Sequence, residues 1–195
     1  MDSKLGQLTL WVLDETNIIV TSATAAWFIR SPSAEKIWFI GGAIAASAAA
    51  KIMKHLFRQS RPDGHRPSRS NQVLYKNVPK SIAGIPTYGM PSTHSTTISY
   101  FATYIVLTTA QIAPLQSISV LALGTLICWS RIRLGHHTAP QVIAGVGLGI
   151  TFGFAHHTLW HGTDVLGLEG FRGVGEGYWD LAEAVIYRVN GLIRK

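Results

Sequence analysis

Long runs of apolar residues constrain the fold of this chain more than any other feature. A helix needs about 20 mostly apolar residues to cross the hydrocarbon core of a bilayer. Four segments approach that length: Ile37–Met53, Thr96–Ala113, Ile118–Trp129 and Val142–His156. A fifth segment, Asn17–Ile29, is shorter, because Asp14 and Glu15 limit its extension toward the N-terminus. The sequence therefore predicts an all-α integral membrane helical bundle of about five spans.

The composition favours a membrane bundle over a soluble one. Charged residues make up only 14% of the chain and hydrophobic residues 47%, whereas soluble domains carry about 25% charged residues. The spans also lack the polar stripe of amphipathic soluble helices, so a soluble bundle is the weaker alternative. Cys128 is the only cysteine, which excludes an intramolecular disulfide. The first twelve residues have no basic region followed by an apolar core, so no cleavable signal peptide is predicted.

The chain divides into two predicted parts. Residues 1–162 form the membrane-embedded domain, and residues 163–195 form a tail. Part of the tail has helical periodicity, with four apolar residues near one face and three basic residues on or beyond the other side: Leu181, Val185, Val189 and Leu192, then Arg188, Arg194 and Lys195. This pattern is typical of a helix that lies in the membrane interface, although a solvated terminal helix fits nearly as well.

The charge distribution indicates the class of binding partner. The net charge is +7, and a basic balance is usual for proteins that bind nucleic acids or anionic surfaces. Here the basic residues are concentrated between residues 51 and 80, flanked by hydrophobic segments. This concentration favours a local anion site or a lipid headgroup surface over nucleic-acid binding.

The order of the spans places three clusters of polar residues on one side of the membrane. Antiparallel spans alternate in direction, so the end of the second, the start of the third, the end of the fourth and the start of the fifth share a face. We therefore expect the active site at that membrane face. Trp27, Trp38 and Trp160 fall at the opposite interface, where membrane proteins often place tryptophan, and Trp129 falls on the side of the clusters.

The first two clusters provide groups that suit an anion. Lys54 offers a point charge and Arg61 a planar fork of donors that matches phosphate oxygens, although basic residues also commonly flank membrane helices. In the second cluster, Ser92 is a plausible N-cap, and the free N–H groups of a helix start favour an anion. His94 lies in the first turn of that helix, where it can donate a proton to a leaving oxygen.

The third cluster supplies a candidate nucleophile. Arg131 adds another phosphate-binding fork, and His137 can attack phosphorus if its ring is neutral and oriented. Gln141 lies one helical turn beyond His137, where its side-chain oxygen can accept a hydrogen bond from the ring. Together the clusters bring three cations, two histidines and a helix N-terminus to one place. This set suits phosphoryl transfer through a phosphohistidine, with preorganised donors in place of a metal ion.

These motifs resemble those of a known family. Lys54-x6-Arg61-Pro62, then Pro91-Ser92-Thr93-His94, then Ser130-Arg131-x5-His137 are similar to the three motifs of the type 2 phosphatidic acid phosphatase and vanadium haloperoxidase superfamily. The resemblance implies a helical, metal-independent membrane phosphatase without a cofactor. It carries over His137 as the nucleophile and His94 as the general acid. It assigns phosphoryl binding to the side chains of Lys54, Arg61, Ser92 and Arg131 and to the backbone N–H of Thr93.

Two positions depart from the common family pattern. Thr93 stands where glycine is common, which keeps the backbone donor but crowds the approach. Gln141 stands where aspartate is common, and a glutamine can orient His137 but brings no charge. Loss of the orienting charge makes a catalytically weak or inactive lipid-phosphate-binding protein an alternative of another class. From sequence, a Gln141→Ala variant is expected to lose most turnover, whereas Gln141→Glu is expected to be tolerated at least in part.

The segment around Gln141 also resembles a narrower branch. HHTAPQV and GMPSTHS are similar to the motifs of dolichyl diphosphate phosphatases, in which glutamine is usual at this position. The implied reaction is hydrolysis of a polyisoprenyl diphosphate to the monophosphate and inorganic phosphate. In a eukaryote, the implied location is the endoplasmic reticulum membrane. Plant relatives that act on phosphatidate leave a lipid monophosphate phosphatase as the alternative, and the oligomeric state stays open.

A separate group of histidines lies at the end of the fifth span. His157 and His161 are spaced i, i+4, with His156 and Asp164 beside them, and this spacing occurs in metal sites. The group lies across the membrane from the three clusters, however. We expect these histidines to cap the span at the interface, and no metal site is predicted.

Overall fold

The structure, a computed structural model, describes residues 12–63, 88–162 and 170–193, the last seven of these without their side chains. Six helices are numbered here in chain order: α1 (Thr16–Arg30), α2 (Ala34–Phe57), α3 (Thr93–Thr109), α4 (Pro114–Arg133), α5 (Ala139–His161) and α6 (Arg172–Ile193). The described residues contain no strand. The prediction of an all-α fold is therefore confirmed.

Each of the five predicted spans coincides with a helix. Three of these helices, α2, α4 and α5, are long and apolar enough to cross a membrane. α1 has 15 residues and α3 has 17, which at 1.5 Å per residue is less than the ~30 Å core of a bilayer. The number of five spans therefore stays a prediction. The third span was expected from Thr96, but its helix begins at Thr93, because Ser92 caps it.

Helix α3 is the centre of the bundle and packs most closely against α5. Three glycines of α5, spaced four residues apart, make this approach possible. A Cβ added at Gly149 would lie 2.2 Å from the carbonyl oxygen of Thr96, and one added at Gly145 would lie 2.6 Å from that of Ser92. Gly153 similarly faces the side chain of Thr103. These three glycines allow the backbones of α3 and α5 to touch, which places the starts of the two helices side by side.

Aromatic residues fill the end of the bundle away from those two helix starts. Phe39, Tyr100 and Tyr104 are buried there, and the Tyr100 hydroxyl donates to the carbonyl oxygen of Phe39 at 2.9 Å. The Trp38 and Trp160 rings lie 5.4 Å apart between centroids. The centroid of the Trp27 ring lies 5.8 Å from that of Phe39, so all three predicted tryptophans lie toward this end, whereas their position at a membrane interface stays a prediction.

The tail contains α6, which begins beside Trp160. A Cβ added at Gly175 would lie 2.4 Å from the Trp160 ring, so this glycine allows the tail to pack on α5. The apolar side chains of Val174, Tyr178 and Leu181 are exposed, as a helix in the membrane interface requires, but its placement there stays a prediction. The domain boundary after residue 162, Asp164 and most of the loop after α2 lie outside the described residues.

Candidate active site

The three polar clusters meet at one cavity. It has a volume of about 1310 Å³ and lies between α1, α2 and α3. Six of the eight residues that the sequence selects line it: Lys54, Arg61, Thr93, His94, Arg131 and His137. The other two, Ser92 and Gln141, are buried and lie beside the cavity wall. The topological argument therefore places all three clusters correctly.

The turn between α4 and α5 holds Arg131 and His137 together. The backbone N–H groups of His136 and His137 both donate to the carbonyl oxygen of Arg131, at 3.0 and 3.2 Å. Gly135 has φ of 70°, a left-handed conformation that costs little only for glycine. The tight turn folds the chain back within five residues, so the histidine returns to the arginine that precedes it.

The start of α3 is attached to the start of α5. Ser92 is the N-cap of α3, as predicted, and its hydroxyl accepts from the Ser95 N–H at 3.4 Å. Its own backbone N–H donates to the carbonyl oxygen of Gln141 at 2.9 Å. This bond brings Thr93 and His94 to the cavity beside the His137 turn. Since the Ser92 hydroxyl also accepts from the Ser95 hydroxyl at 3.0 Å, a direct contact of Ser92 with phosphate stays a prediction.

The side-chain amide of Gln141 has all its hydrogen bonds made. Its oxygen lies 3.2 Å from the backbone N–H of Thr138 and 3.2 Å from Nδ1 of His137. Its nitrogen lies 2.8 Å from the carbonyl oxygen of Ser60 and 3.1 Å from Oε1 of Gln59. A backbone N–H can only donate and a carbonyl only accept. Thr138 and Ser60 therefore fix which end of the amide is oxygen and which is nitrogen.

The fixed amide in turn determines the tautomer of His137. Because the Gln141 oxygen accepts, Nδ1 of His137 must carry the proton, and Nε2 keeps its lone pair. Burial, followed by the nearby charges of Arg61 and Lys54, lowers the pKa of His137 from 6.5 to about 3. The ring is therefore neutral at physiological pH, and one nitrogen is available as a nucleophile. The orienting role that the sequence assigns to Gln141 has the geometry it needs.

This geometry changes what is expected of a charged residue at position 141. A glutamate would have no N–H group for the Ser60 carbonyl, and a carboxylate oxygen would face that carbonyl and Gln59. Repulsion between acceptors would offset the gain of a charged partner for His137. We therefore expect Gln141→Glu to lose more turnover than the sequence alone predicts.

Gln59 and Gly89 are site residues that the sequence reasoning missed. They lie at the two ends of the loop that joins α2 to α3, and the Gly89 N–H donates to the Gln59 carbonyl oxygen at 2.7 Å. A Cβ added at Gly89 would lie 2.5 Å from the Gln141 amide, so only glycine fits without displacing Gln141. Lys54 Nζ donates to the Tyr88 carbonyl oxygen at 3.0 Å. No local pattern marks Gln59, whereas Gly89 is the first residue of the segment GMPSTHS, to which the sequence assigned no role for glycine.

Asp14 is a third residue that the sequence did not assign to the site. Its carboxylate lies 2.7 Å from Nε2 of His136 and 3.9 Å from a terminal nitrogen of Arg131. The sequence identified Asp14 only as a residue that shortens the first span. Its partners lie more than a hundred residues further along the chain, and no spacing rule connects them.

The histidines at the opposite end have structural partners. His156 Nε2 lies 2.9 Å from the Trp38 carbonyl oxygen, and the Trp38 indole N–H donates to the His156 carbonyl oxygen at 3.1 Å. His161 Nε2 lies 3.3 Å from a Glu35 oxygen. Among the described residues, no group of three or more His, Cys, Asp or Glu side chains is arranged to hold a metal ion.

Comparison with known proteins gives a family match and several relatives. The model of the PAP2 superfamily matches residues 35–163. Dolichyldiphosphatase 1 of Dictyostelium discoideum is 33% identical over 50% of this chain and 41% of its own length. Lipid phosphate phosphatase epsilon 1, a chloroplastic protein of Arabidopsis thaliana, is 26% identical over 64% of this chain and 40% of its own length. The chain therefore spans about two fifths of these relatives.

One solved structure is also similar. A transmembrane PAP2-type phosphatidylglycerolphosphate phosphatase from Bacillus subtilis aligns with a TM-score of 0.47 and 16% sequence identity. The alignment covers 80% of this chain and 86% of the other.

Proposed function

Because the chain belongs to the PAP2 superfamily, we propose that it is an integral membrane phosphatase that hydrolyses a polyisoprenyl diphosphate, such as a dolichyl diphosphate. The products are the polyisoprenyl monophosphate and inorganic phosphate. The observation that carries the proposal is the cavity in which cations and two histidines of all three motifs meet. The enzyme requires no metal in this mechanism, since side-chain cations hold the phosphoryl charge.

The proposed chemistry has two steps. The lone pair on Nε2 of His137 attacks the terminal phosphorus, and the bond to the leaving oxygen breaks. The negative charge of the bound diphosphate favours the protonated form of His94, which donates its proton to that oxygen, and the lipid monophosphate leaves. A water molecule then attacks the phosphohistidine, releases phosphate and restores the neutral ring, with His94 accepting the proton. Arg61, Arg131 and Lys54 bind the equatorial oxygens throughout, with the Thr93 N–H and Ser92 at the helix start.

The rest of the cavity supports a lipid substrate. Along α2 it extends from Lys54 to Ile37, a distance of roughly 25 Å at 1.5 Å per residue. Away from the cations its lining is largely apolar and includes Phe28, Ile40 and Phe101. A phosphate group at the cationic end would leave an apolar chain in contact with these side chains. This arrangement matches a headgroup joined to a long hydrocarbon.

Two observations bear on the headgroup. A relative named as a dolichyldiphosphatase is 33% identical to this chain, and Gln141 fits the same branch. Two chloroplastic relatives named as lipid phosphate phosphatases are each 26% identical, and they favour a second candidate, hydrolysis of phosphatidate or another lipid monophosphate. We place the protein in the endoplasmic reticulum membrane if its source is eukaryotic, following the diphosphatase branch. The hydrogen bond between Gln141 and His137 argues against the inactive lipid-binding alternative.

A substrate panel in detergent tests the proposal. Wild-type protein and His137→Ala are supplied with a polyprenyl diphosphate, the corresponding monophosphate and phosphatidate, and released phosphate is measured. We expect the wild type to cleave the diphosphate with the highest kcat/KM and to accumulate the monophosphate. Preference for phosphatidate would select the second candidate. Equal phosphate release by His137→Ala, or none from any lipid by the wild type, would refute the mechanism.

A further inference from the structure

Leu13 and Asp14, shortly before α1, contact two residues that line the cationic end of the cavity, Arg131 and His136. Asp14 Oδ1 lies 2.7 Å from Nε2 of His136 and 3.9 Å from a terminal nitrogen of Arg131. The carbonyl oxygen of the preceding residue, Leu13, accepts a hydrogen bond from the other terminal nitrogen of Arg131. Leu13 and Asp14 therefore both contact the guanidinium group of Arg131, which lies 117 residues after Asp14 in the sequence.

These contacts are shielded from water. The exposed fraction of the side chain is 2% for Arg131, 10% for His136 and 18% for Asp14. Solvent and salt screen a buried charge pair much less than an exposed one, and a buried guanidinium needs a partner. Because an ionised carboxylate only accepts hydrogen bonds, Nε2 of His136 donates to Asp14. Asp14 therefore orients His136 by a hydrogen bond and attracts the guanidinium group of Arg131 by its charge.

Arg131 is held on one side by protein contacts and borders the cavity on the other. Its Nε and one terminal nitrogen lie 3.3 and 3.2 Å from the Ser130 hydroxyl. With Leu13 and Asp14, these contacts leave the guanidinium few orientations. Arg131 nevertheless lines the cavity together with His94 and His137. A guanidinium group that is already oriented loses less conformational entropy when it binds phosphate oxygens.

We propose that Asp14 is a positioning residue, which acts through Arg131 and His136 to align the phosphate-binding fork beside His137. This inference rests on the proposed function in one respect, since it is there that the guanidinium group of Arg131 binds the phosphoryl group. Asp14 itself does not touch the substrate. The same contacts attach the N-terminal end of α1, a helix that lines the cavity, to Arg131 and His136. The Asp14 carboxylate therefore connects this helix to the proposed phosphate-binding residues.

A competing explanation makes the opposite prediction. If Asp14 acted only through its charge, its negative field would repel phosphate, and its removal would tighten phosphate binding. If Asp14 positions Arg131, removal would weaken binding, because the fork must be ordered when the anion arrives. The sign of the change in phosphate affinity therefore distinguishes the two roles.

The test measures the affinity of the purified full-length protein in detergent for inorganic phosphate, by calorimetry, together with KM and kcat for the polyprenyl diphosphate. We expect Asp14→Ala to raise the Kd for phosphate and the KM about tenfold, within the range for residues that share a network. The change in kcat should be smaller. Asp180→Asn, an exposed carboxylate on α6, is the matched control and should behave as the wild type.

Two further variants keep the result decisive. Asp14→Asn preserves the shape if the alanine variant does not fold, and it should weaken phosphate binding about threefold, because its contact with the Arg131 guanidinium loses the attraction between opposite charges. In an Arg131→Gln background, Asp14→Ala should add no further loss of phosphate affinity. Tighter phosphate binding in both Asp14 variants would overturn the proposal. So would an Asp14→Ala substitution that lowers phosphate affinity as much in the Arg131→Gln background as in the wild type.

The two proposals can fail separately. Wild-type protein that releases no phosphate from any lipid would refute the proposed function. The binding measurements with inorganic phosphate would still decide the role of Asp14. An active wild type whose Asp14 variants keep its phosphate affinity and KM would refute the role of Asp14 alone.

Discussion

Three histidines line the cavity at one end of the bundle and three others lie at the opposite end, and the surroundings of the two groups differ sharply. At one end, His94, His136 and His137 line a cavity with Lys54, Arg61 and Arg131. At the other end, His156, His157 and His161 lie among aromatic rings. There the His156 ring stacks on Trp38 with centroids 4.3 Å apart, and the His157 and His161 rings are also 4.3 Å apart.

The difference shows that the chemistry of a histidine depends on what its second nitrogen meets. In His137, the bond from Nδ1 to Gln141 leaves the lone pair on Nε2, and the residue lines the cavity. In His156, Nε2 already bonds the Trp38 carbonyl oxygen, so the ring connects two helices. The same residue type is available for attack at one end and holds α2 to α5 at the other. Four predictions test this contrast.

The largest effect is expected at the proposed nucleophile. His137→Ala removes the attacking nitrogen and should lower kcat for a polyprenyl diphosphate by at least about 10³-fold. His157→Ala, at the opposite end, is the matched control and should keep its kcat within about twofold, since surface and structural changes away from a site act mainly on stability. Phosphate release from the lipid measures both.

The contrast between the two ends would be wrong if the two variants lost similar activity. It would also be wrong if His137→Ala kept its turnover while binding lipid as the wild type does. Circular dichroism and size-exclusion chromatography of each variant separate a loss of chemistry from a loss of folding.

The second effect concerns the residue that sets the tautomer. Gln141→Leu removes the acceptor for His137 Nδ1, so the ring can rotate or protonate at Nε2 instead. We expect kcat to fall about 10²-fold, which is less than the ~10⁴-fold loss through the wrong tautomer in serine proteases. KM should change less than kcat, because the cations remain.

Gln59→Leu gives a matched comparison for Gln141. It removes one of the two acceptors of the Gln141 nitrogen and leaves the Ser60 carbonyl in place. Its loss of kcat should therefore be clearly smaller than that of Gln141→Leu. Unchanged turnover in Gln141→Leu would disprove the orienting role.

The third effect is a shift in the titration of His137. Burial and the charges of Arg61 and Lys54 lower the pKa of His137 to about 3, because each disfavours the imidazolium. Arg61→Gln removes one positive charge, so the pKa should rise toward 6.5 while remaining below it. Histidine side-chain NMR of labelled protein in detergent measures the titration directly, without reliance on turnover. A wild-type His137 that titrates near pH 6.5 would contradict the described environment.

Much of this site was predictable from the sequence, because its motifs carry strong local signals. The apolar runs predict helices at five places, and alternating direction then brings Lys54, His94 and His137 to one side. Both steps depend only on neighbouring residues and chain direction. The glycine spacing of Gly145 and Gly149 is also visible in the sequence, although its partner helix is not.

The contacts that orient the site were not predictable. Asp14 meets His136 from more than a hundred residues away, and Gln59 meets Gln141 from 82 residues away. Neither pair has a spacing rule, since the folded positions of whole helices decide which side chains meet. The chemical groups were thus visible in the sequence, whereas the residues that hold them appear only in the fold.

The smallest effect is expected at the aromatic end. Trp38→Phe keeps a ring for stacking on His156 but removes the indole N–H that donates to the His156 carbonyl oxygen at 3.1 Å. The free energy of unfolding should fall by about 1 kcal/mol, the usual net contribution of one hydrogen bond. The value of kcat should stay at that of the wild type, because no group at the cavity moves. Denaturant unfolding and phosphate release on the same preparation measure both quantities, with exposed Trp129→Phe as the control. A fall in kcat at unchanged stability would instead show that the aromatic end acts on the distant site.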